Sequence, residues 1–166
     1  MNASVTQVDW DQWRAEIHAT LVFVVKDGRI LLIEKKRGLG AGKINGPGGK
    51  IDPGETPLES AVREVQEELC ITPTDIRKIG ELWFSMTDCP HILCHVFRAE
   101  DHVGEPTETE EAVPLWMSVN AIPYHRMWED DRHWLPLLLA DTTFHGRFAF
   151  EGESMRWMDM RTHVSW

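Results

Sequence analysis

Gly48-Gly49-Lys50-Ile51-Asp52-Pro53-Gly54-Glu55, and a little further on Arg63-Glu64-Val65-Gln66-Glu67-Glu68, are the stretches on which the reading of this chain turns. From Pro57 to Leu69 the apolar residues Leu58, Ala61, Val62, Val65 and Leu69 recur at spacings of three and four, which predicts an amphipathic helix. Thr56 followed three residues later by Glu59 supplies a capping box, and Pro57 takes the first helical position, where a missing N–H costs little. Positions 64, 67 and 68 of that helix stand at i, i+3 and i+4, so three carboxylates project from one face within a turn. Like charges at this spacing repel one another. They suit either a solvated acidic face or a hard divalent cation such as Mg2+, which takes carboxylate oxygens and keeps positions open for water and phosphate oxygens.

The residues leading into the helix favour the cation. Five of the 17 basic residues, Lys35, Lys36, Arg37, Lys43 and Lys50, fall in this short span. They are interleaved with Gly38, Gly40, Gly42, Gly46, Gly48, Gly49 and Gly54, which allow a ligand to approach the backbone closely. Basic side chains, close backbone and a carboxylate-bound metal together make a phosphate site. The local positive charge matters because the chain as a whole is acidic, with 27 Asp and Glu against 17 Lys and Arg and a formal charge of -10. That balance excludes a protein whose whole surface grips nucleic acid or anionic lipid through counterion release.

Outward from the helix, Ala19 to Val25 and Ile30 to Glu34 read as strands of a hairpin about Asp27-Gly28. Lys78 to Met86, Ile92 to Ala99, Ala112 to Ser118 and Thr143 to Phe150 have strand composition, Glu105 to Glu111 is an acidic loop, and Trp134 to Ala140 reads as a second helix despite Pro136. Strands with helices that come singly predict an α/β layered domain with a mixed sheet. At 166 residues, 42% hydrophobic and 27% charged, the chain is one domain's worth of globular protein. Residues 18–166 are expected to form it. Residues 1–17, polar but with Trp10 and Trp13 three apart, predict an accessory segment with a short helix.

No apolar run approaches the roughly 18 residues of a membrane span, and the N-terminus lacks the flanks of a secretory signal. The three cysteines, Cys70, Cys89 and Cys94, are too few and odd in number for a disulfide framework, so reduced thiols and a cytoplasmic location are expected. Cys89, His91, Cys94 and His95 include metal-ligand types, but strand alternation turns Cys94 away from His91 and His95, which argues against a zinc site.

Gly49, five residues, Glu55, seven residues, then Arg63-Glu64-Val65-Gln66-Glu67-Glu68-Leu69-Cys70-Ile71 resembles the Nudix box of nucleoside-diphosphate-linked hydrolases. The one departure is Cys70, where the family has glycine as a left-handed cap. Lys35-Lys36-Arg37-Gly38-Leu39-Gly40-Ala41-Gly42-Lys43, Asn45-Gly46, Trp128-Glu129-Asp130-Asp131, Leu135-Pro136-Leu137-Leu138-Leu139 and Phe144-His145-Gly146 are similar to one branch of that family, the animal-type oxidised purine nucleoside triphosphatases, also called 8-oxo-dGTP diphosphatases or MutT homologues. The resemblance covers about residues 19–158. It implies a Nudix α/β/α sandwich that uses Mg2+ or Mn2+ to hydrolyse modified purine nucleoside triphosphates, such as 8-oxo-dGTP and 2-hydroxy-dATP. The products are a nucleoside monophosphate and pyrophosphate, with attack on the β-phosphorus, and the implied role is nucleotide pool sanitation.

Carried over by position, the resemblance makes Glu64, Glu67 and Glu68 metal ligands, with Glu111 a further metal or catalytic carboxylate and Glu55 and Arg63 braces of the loop and helix. It makes Lys35, Asn45, Gly48, Gly49, Phe84, Trp128, Asp130 and Asp131 substrate-binding. The residue types suit the task, since Trp128 and Phe84 offer apolar faces to a purine and Asn45 both donates and accepts. If one of the adjacent aspartates is protonated in a dry pocket beside its ionised neighbour, it donates a hydrogen bond and recognises different purine edges. Leu39 and Met86 depart from the animal enzymes, which bears on base preference. The expected partner is a small-molecule purine nucleoside triphosphate, bound by a monomer without stable nucleic-acid or membrane association. Two other readings stand beside this one: hydrolysis of ADP-ribose or a dinucleoside polyphosphate, and a non-catalytic nucleotide-binding module. The intact Glu64, Glu67 and Glu68 argue against the module.

Overall fold

The first hairpin turns on Asp27 and Gly28, both at positive φ (53° and 73°), as a tight two-residue connection requires. In this computed structural model, which describes residues 8–166, it joins β1 (Ile17–Lys26) to β2 (Arg29–Lys35). Then follow β3 (Ile44–Asn45), β4 (Gly48–Lys50), α1 (Pro57–Leu69), β5 (Thr72–Met86), β6 (Ile92–Val103), β7 (Ala112–Ser118), a 3-10 turn (Tyr124–Arg126), α2 (Asp131–Leu139), β8 (Phe144–Glu151) and β9 (Ser154–Thr162). The sheet runs β3-β2-β1-β6-β5-β8-β9, with β4 also on β1 and β7 also on β2. It is mixed, since β1 pairs β6 and β5 pairs β8 in parallel while the remaining pairs are antiparallel.

Strand β1 is where the sheet opens. Its hairpin end pairs β2 (Val25 with Ile30), residues 17–24 pair β6 along one side, and residues 19–21 pair β4 on the other, Thr20 opposite Gly49 and Leu21 opposite Gly48. Successive β1 residues alternate between two cores. Phe23 joins Leu82, Trp134, Leu138, Phe144 and Phe148 on the α2 side, and Val22 and Val24 join Ala61, Val65, Leu69 and Phe97 on the α1 side. The molecule is thus the expected α/β/α sandwich. Among the described residues, no helix is long and apolar enough to cross a membrane.

Helix α1 has the bounds its periodicity predicts. Glu59 N donates to Thr56 Oγ1 (3.1 Å) and Thr56 N donates to Glu59 Oε1 (3.2 Å), closing the capping box. Ala61, Val65 and Leu69 are fully buried, whereas Leu58 stays exposed at the outer edge of the stripe. The helix ends on Cys70 at φ 60° and ψ 28°, so a cysteine occupies the left-handed position where the family motif has glycine. A side chain there costs about 1–2 kcal/mol, partly offset by the extra freedom glycine gives the unfolded chain. Cys70→Gly is therefore expected to stabilise the protein by about 1 kcal/mol, raising Tm by about 3 °C. An unchanged or lower Tm in a calorimetric scan would contradict this.

Several boundaries differ from the sequence-based expectation. Strand β5 starts at Thr72, not Lys78, because Pro73, Asp75 at positive φ and a register shift between Lys78 and Gly80 disguise an edge-to-edge pairing with β6, which itself continues to Val103. Helix α2 starts at Asp131, and β9 was absent from the sequence expectation because Met155-Arg156-Trp157-Met158-Asp159-Met160 lacks β-branched residues. The short helix expected within residues 1–17 is corrected as far as the described residues go, positions 1–7 lying outside them. From residue 8 the chain makes one turn, with Gln12 N and Trp13 N both donating to Asp9 O (3.1 and 3.0 Å), and then extends into β1. The two tryptophan rings meet each other (5.7 Å) and both lie on the body of the protein, Trp10 stacked on Trp157 and Trp13 on Trp83.

Candidate active site

Arg63 ties the glycine-rich loop to helix α1. Its Nε and Nη2 donate to the two oxygens of Glu55 (2.6 and 2.8 Å), Nη2 also donates to the Lys50 carbonyl (3.1 Å), and Nη1 donates to Glu64 Oε1 (2.9 Å) and Glu67 Oε2 (3.2 Å). This paired donation, with the Asp52 N–H as a further donor, holds the Glu55 carboxyl down at about 2. Glu55 and Arg63 thus occupy the bracing positions expected of them. The glycines of β4 are dictated by close approach: a Cβ on Gly48 would lie 1.9 Å from the Thr20 carbonyl oxygen, and one on Gly49 would lie 2.5 Å from the Glu64 carboxyl carbon.

Behind this loop, Glu64, Glu68 and Glu111 each place an oxygen within 4.8 Å of the others. The three-carboxylate helix face resolves into two environments, because Glu67 turns to Arg63 with its side chain half exposed and Glu111, from the acidic loop, takes the third place in the cluster. Thr109 ties that loop to the helix: its hydroxyl donates to the Glu68 carbonyl (2.7 Å) and accepts from Glu111 N–H (3.2 Å). Arg37 Nη2 donates to Glu111 Oε1 at 3.0 Å. Glu68 is only 6% exposed and its Oε2 has no hydrogen-bond partner. Burial first, then the charges of Glu64 and Glu111, push its carboxyl up to about 8. Glu64 is raised as well, by burial against the opposing pull of Arg63. A crowded, partly orphaned set of hard oxygen donors is what a divalent cation relieves, so these residues fit a metal of the Mg2+ type.

From Glu68 a cleft of about 850 Å3, counted to its open mouth, runs across the sheet. Lys35, Asn45, Gly48, Gly49, Phe84, Trp128, Asp130 and Asp131 all line it, so every substrate-binding position inferred from the sequence meets in one place. Leu39 stands half exposed at its mouth. Phe150 meets the Trp128 ring edge-on with centroids 5.9 Å apart, and the Gly40 backbone is pressed so closely to Trp128 that a Cβ would lie 2.8 Å from its Nε1. Asn45 Oδ1 accepts from Gly46 N–H (2.8 Å), which fixes the orientation of its amide.

Asp130 and Asp131 are 2% and 3% exposed. Asp130 Oδ2 accepts from Trp134 Nε1 (2.7 Å), a bond that opposes its burial and leaves the carboxyl raised to about 6. Asp131 Oδ2 has no partner, and burial together with the adjacent Asp130 charge drives its carboxyl well above the ordinary carboxylate range. The pair is therefore disposed to keep a proton, because burial disfavours two adjacent ionised carboxyls.

Thr20, Ile92, Cys94 and Phe150 also line the cleft but carried no site role in the sequence reading. Only strand alternation could have revealed them, since residues 92 and 94 of β6 share a face with 84 and 86 of β5 once the register is known. His95 points to the other face, with Nδ1 3.0 Å from Lys78 Nζ.

A model of the NUDIX domain matches residues 16–138. The chain is 44% identical over 137 residues to the oxidized purine nucleoside triphosphate hydrolase of Danio rerio, covering 82% of this chain and 88% of that one. It is 42% identical over 135 residues to the Mus musculus protein of the same name, covering 81% and 86%. Among solved structures, a MutT protein from Bacillus halodurans superposes with a TM-score of 0.79 at 24% identity, over 87% of this chain and 97% of that one. With the motif glycines, Arg63 and the glutamates standing in one site on the matching fold, the chain belongs to the NUDIX family.

Proposed function

We propose that this protein is a pyrophosphohydrolase of oxidised or otherwise modified purine nucleoside triphosphates, releasing the nucleoside monophosphate and pyrophosphate and so sanitising the nucleotide pool. The observation that carries the reading is the single cleft, with the carboxylate cluster, Lys35 and the β4 glycines at one end and the dry aspartate pair between aromatic walls at the other. That layout suits a ligand with a polyanionic end and a flat, hydrogen-bonding end. The two relatives named above act, by their names, on oxidised purine nucleoside triphosphates.

In this reading Glu64, Glu68 and Glu111 would hold Mg2+, while Glu67 pairs with Arg63 beside them. The cation, when bound, neutralises phosphate charge and acidifies a water. A carboxylate of the cluster accepts the proton of the attacking water. Lys35 and the close-packed backbone of Gly48 and Gly49 flank the phosphates, Arg63 and Glu55 keep loop and helix in register, and Phe84 and Trp128 sandwich the base. Asn45 and the aspartate pair read its edge, with Asp131 donating through its proton and Asp130 accepting. Residues 18–166 form the working domain, which acts as a cytoplasmic monomer on a free nucleotide.

The test is pyrophosphate release from 8-oxo-dGTP, 2-hydroxy-dATP, an alkylated purine triphosphate and dGTP, with and without Mg2+, alongside ADP-ribose and a dinucleoside polyphosphate. A preference for at least one modified purine over dGTP is expected. Equal turnover of ADP-ribose or the dinucleotide, or no discrimination against dGTP, would overturn the sanitising role.

A further inference from the structure

The family match begins at residue 16, yet the residues before it are built into the back of the cleft. Trp13 is 7% exposed and stacks on Trp83 with centroids 4.9 Å apart and planes 10° from parallel. Trp10 stacks on Trp157 (5.6 Å), and the Arg147 guanidinium lies 5.4 and 5.8 Å from those two rings. Trp83 directly precedes Phe84, and strand alternation sends residue 83 to the outer face while residue 84 enters the cleft. One β5 segment is therefore gripped from behind by the N-terminal strap and touches substrate space in front.

The same strap holds the tip of the β5–β6 hairpin. Glu16 N and Ile17 N both donate to the His91 carbonyl (2.9 and 3.0 Å), His91 N donates back to Glu16 Oε1 (3.2 Å), and the Trp13 ring lies 5.9 Å from the His91 ring. His91 closes the loop between Met86 and Ile92, and both of those side chains line the cleft. The Met86 end of that loop is tied to the β8–β9 hairpin, Thr87 N donating to the Phe150 carbonyl and Gly152 N donating to Thr87 Oγ1 (both 3.3 Å), and the strap holds the Ile92 end.

We infer that Trp13 and Glu16 are positioning residues that set the Met86 and Ile92 wall of the base pocket and thereby the discrimination between purine bases. The inference rests on the proposed function and deepens it. Stacking and backbone pairing fix the wall from behind, and a wall displaced by about 1 Å loosens the fit of a flat ligand by roughly one to two orders of magnitude at most.

The experiment measures kcat and KM for 8-oxo-dGTP and dGTP, and Kd for 8-oxo-dGMP without metal, in wild type, Trp13→Ala, Trp13→Phe and Glu16→Ala. Trp13→Ala is expected to raise KM for the preferred triphosphate and Kd for the monophosphate by about fivefold, narrow the preference, and leave kcat within about twofold. Trp13→Phe keeps the stacking and returns both constants to near wild type. Glu16→Ala deletes one exposed acceptor without touching the core and shifts KM and Kd the same way by about twofold, which decides the matter should Trp13→Ala fail to fold. A lower Tm with unchanged KM, Kd and preference overturns the inference, as does a fall in kcat alone. The preferred modified purine of the panel above replaces 8-oxo-dGTP should it differ; if wild type hydrolyses none of the modified purine triphosphates, the proposed function fails, and if wild type discriminates and the variants do so equally, only the role of the strap fails.

Discussion

Glu68→Gln is expected to lower Mg2+-dependent pyrophosphate release by about 10³-fold, equivalent to about 4 kcal/mol of transition-state stabilisation. Glu68 is the most buried member of the carboxylate cluster and the one that also lines the cleft, so it links the metal end to the substrate end. Glutamine keeps its shape and one acceptor oxygen but not the charge a divalent cation needs. The same substitution is expected to stabilise the metal-free fold, because it removes a carboxyl that is buried, half unpartnered and crowded by Glu64 and Glu111. Pyrophosphate assays with varied Mg2+, paired with thermal melts in a chelator, separate the two effects. Lost activity with a raised metal-free Tm marks a site that sacrifices stability for function. Unchanged pyrophosphate release would remove the metal assignment.

Helix α1 was legible in the sequence because everything that defines it is local: the apolar stripe, the capping box at Thr56 and Glu59, and Pro57 at the first position. Its chemistry was legible only in part. Helical spacing puts Glu64, Glu67 and Glu68 on one face, but it does not say that Arg63 takes Glu67, or that Glu111 arrives from the acidic loop before β7 to complete the cluster. Strand β4 carries no apolar signal at all, since its glycines are chosen for what they must not touch, the Thr20 carbonyl and the Glu64 carboxylate. The base pocket was found through the family resemblance, while Ile92, Cys94 and Phe150 needed the β5–β6 and β5–β8 registers. The spacing of Trp10 and Trp13 placed both rings on the body of the protein but could not name their partners. Those partners are rings on β5 and β9, more than 60 residues away in the chain.

Asp131→Asn is expected to lower kcat/KM for the preferred modified purine by about 10²-fold, about 3 kcal/mol, while leaving the fold intact. Asparagine is nearly isosteric with the protonated acid, so the buried site keeps its volume, but it fixes one arrangement of donor and acceptor where the pair can otherwise exchange a proton. The loss should depend on the base, being larger for the substrate whose edge needs the Asp131 proton, and dGTP turnover serves as the comparison. Stability against pH supplies an independent check. Both aspartates have folded values raised above the ordinary 3.8, Asp130 to about 6 and Asp131 well above its ordinary range. Below pH of about 4 both states keep their protons and the contribution of the pair is fully present. As pH rises, the unfolded chain ionises first while the folded protein retains its protons. Stability then falls as pH rises through the folded values of the pair, about 6 for Asp130. Asp131→Asn deletes one of these titrations, so between pH 4.5 and 7.5 the denaturation midpoint of the variant, measured in chelator, should fall less steeply than that of wild type. In activity, wild type should lose its preferred substrate as pH climbs and Asp131 ionises, whereas the variant's residual rate should not follow that ionisation. Parallel stability slopes and an unaltered base preference would mean that Asp131 holds no proton of consequence, and that the edge of the base is read by Asn45 and Asp130 alone.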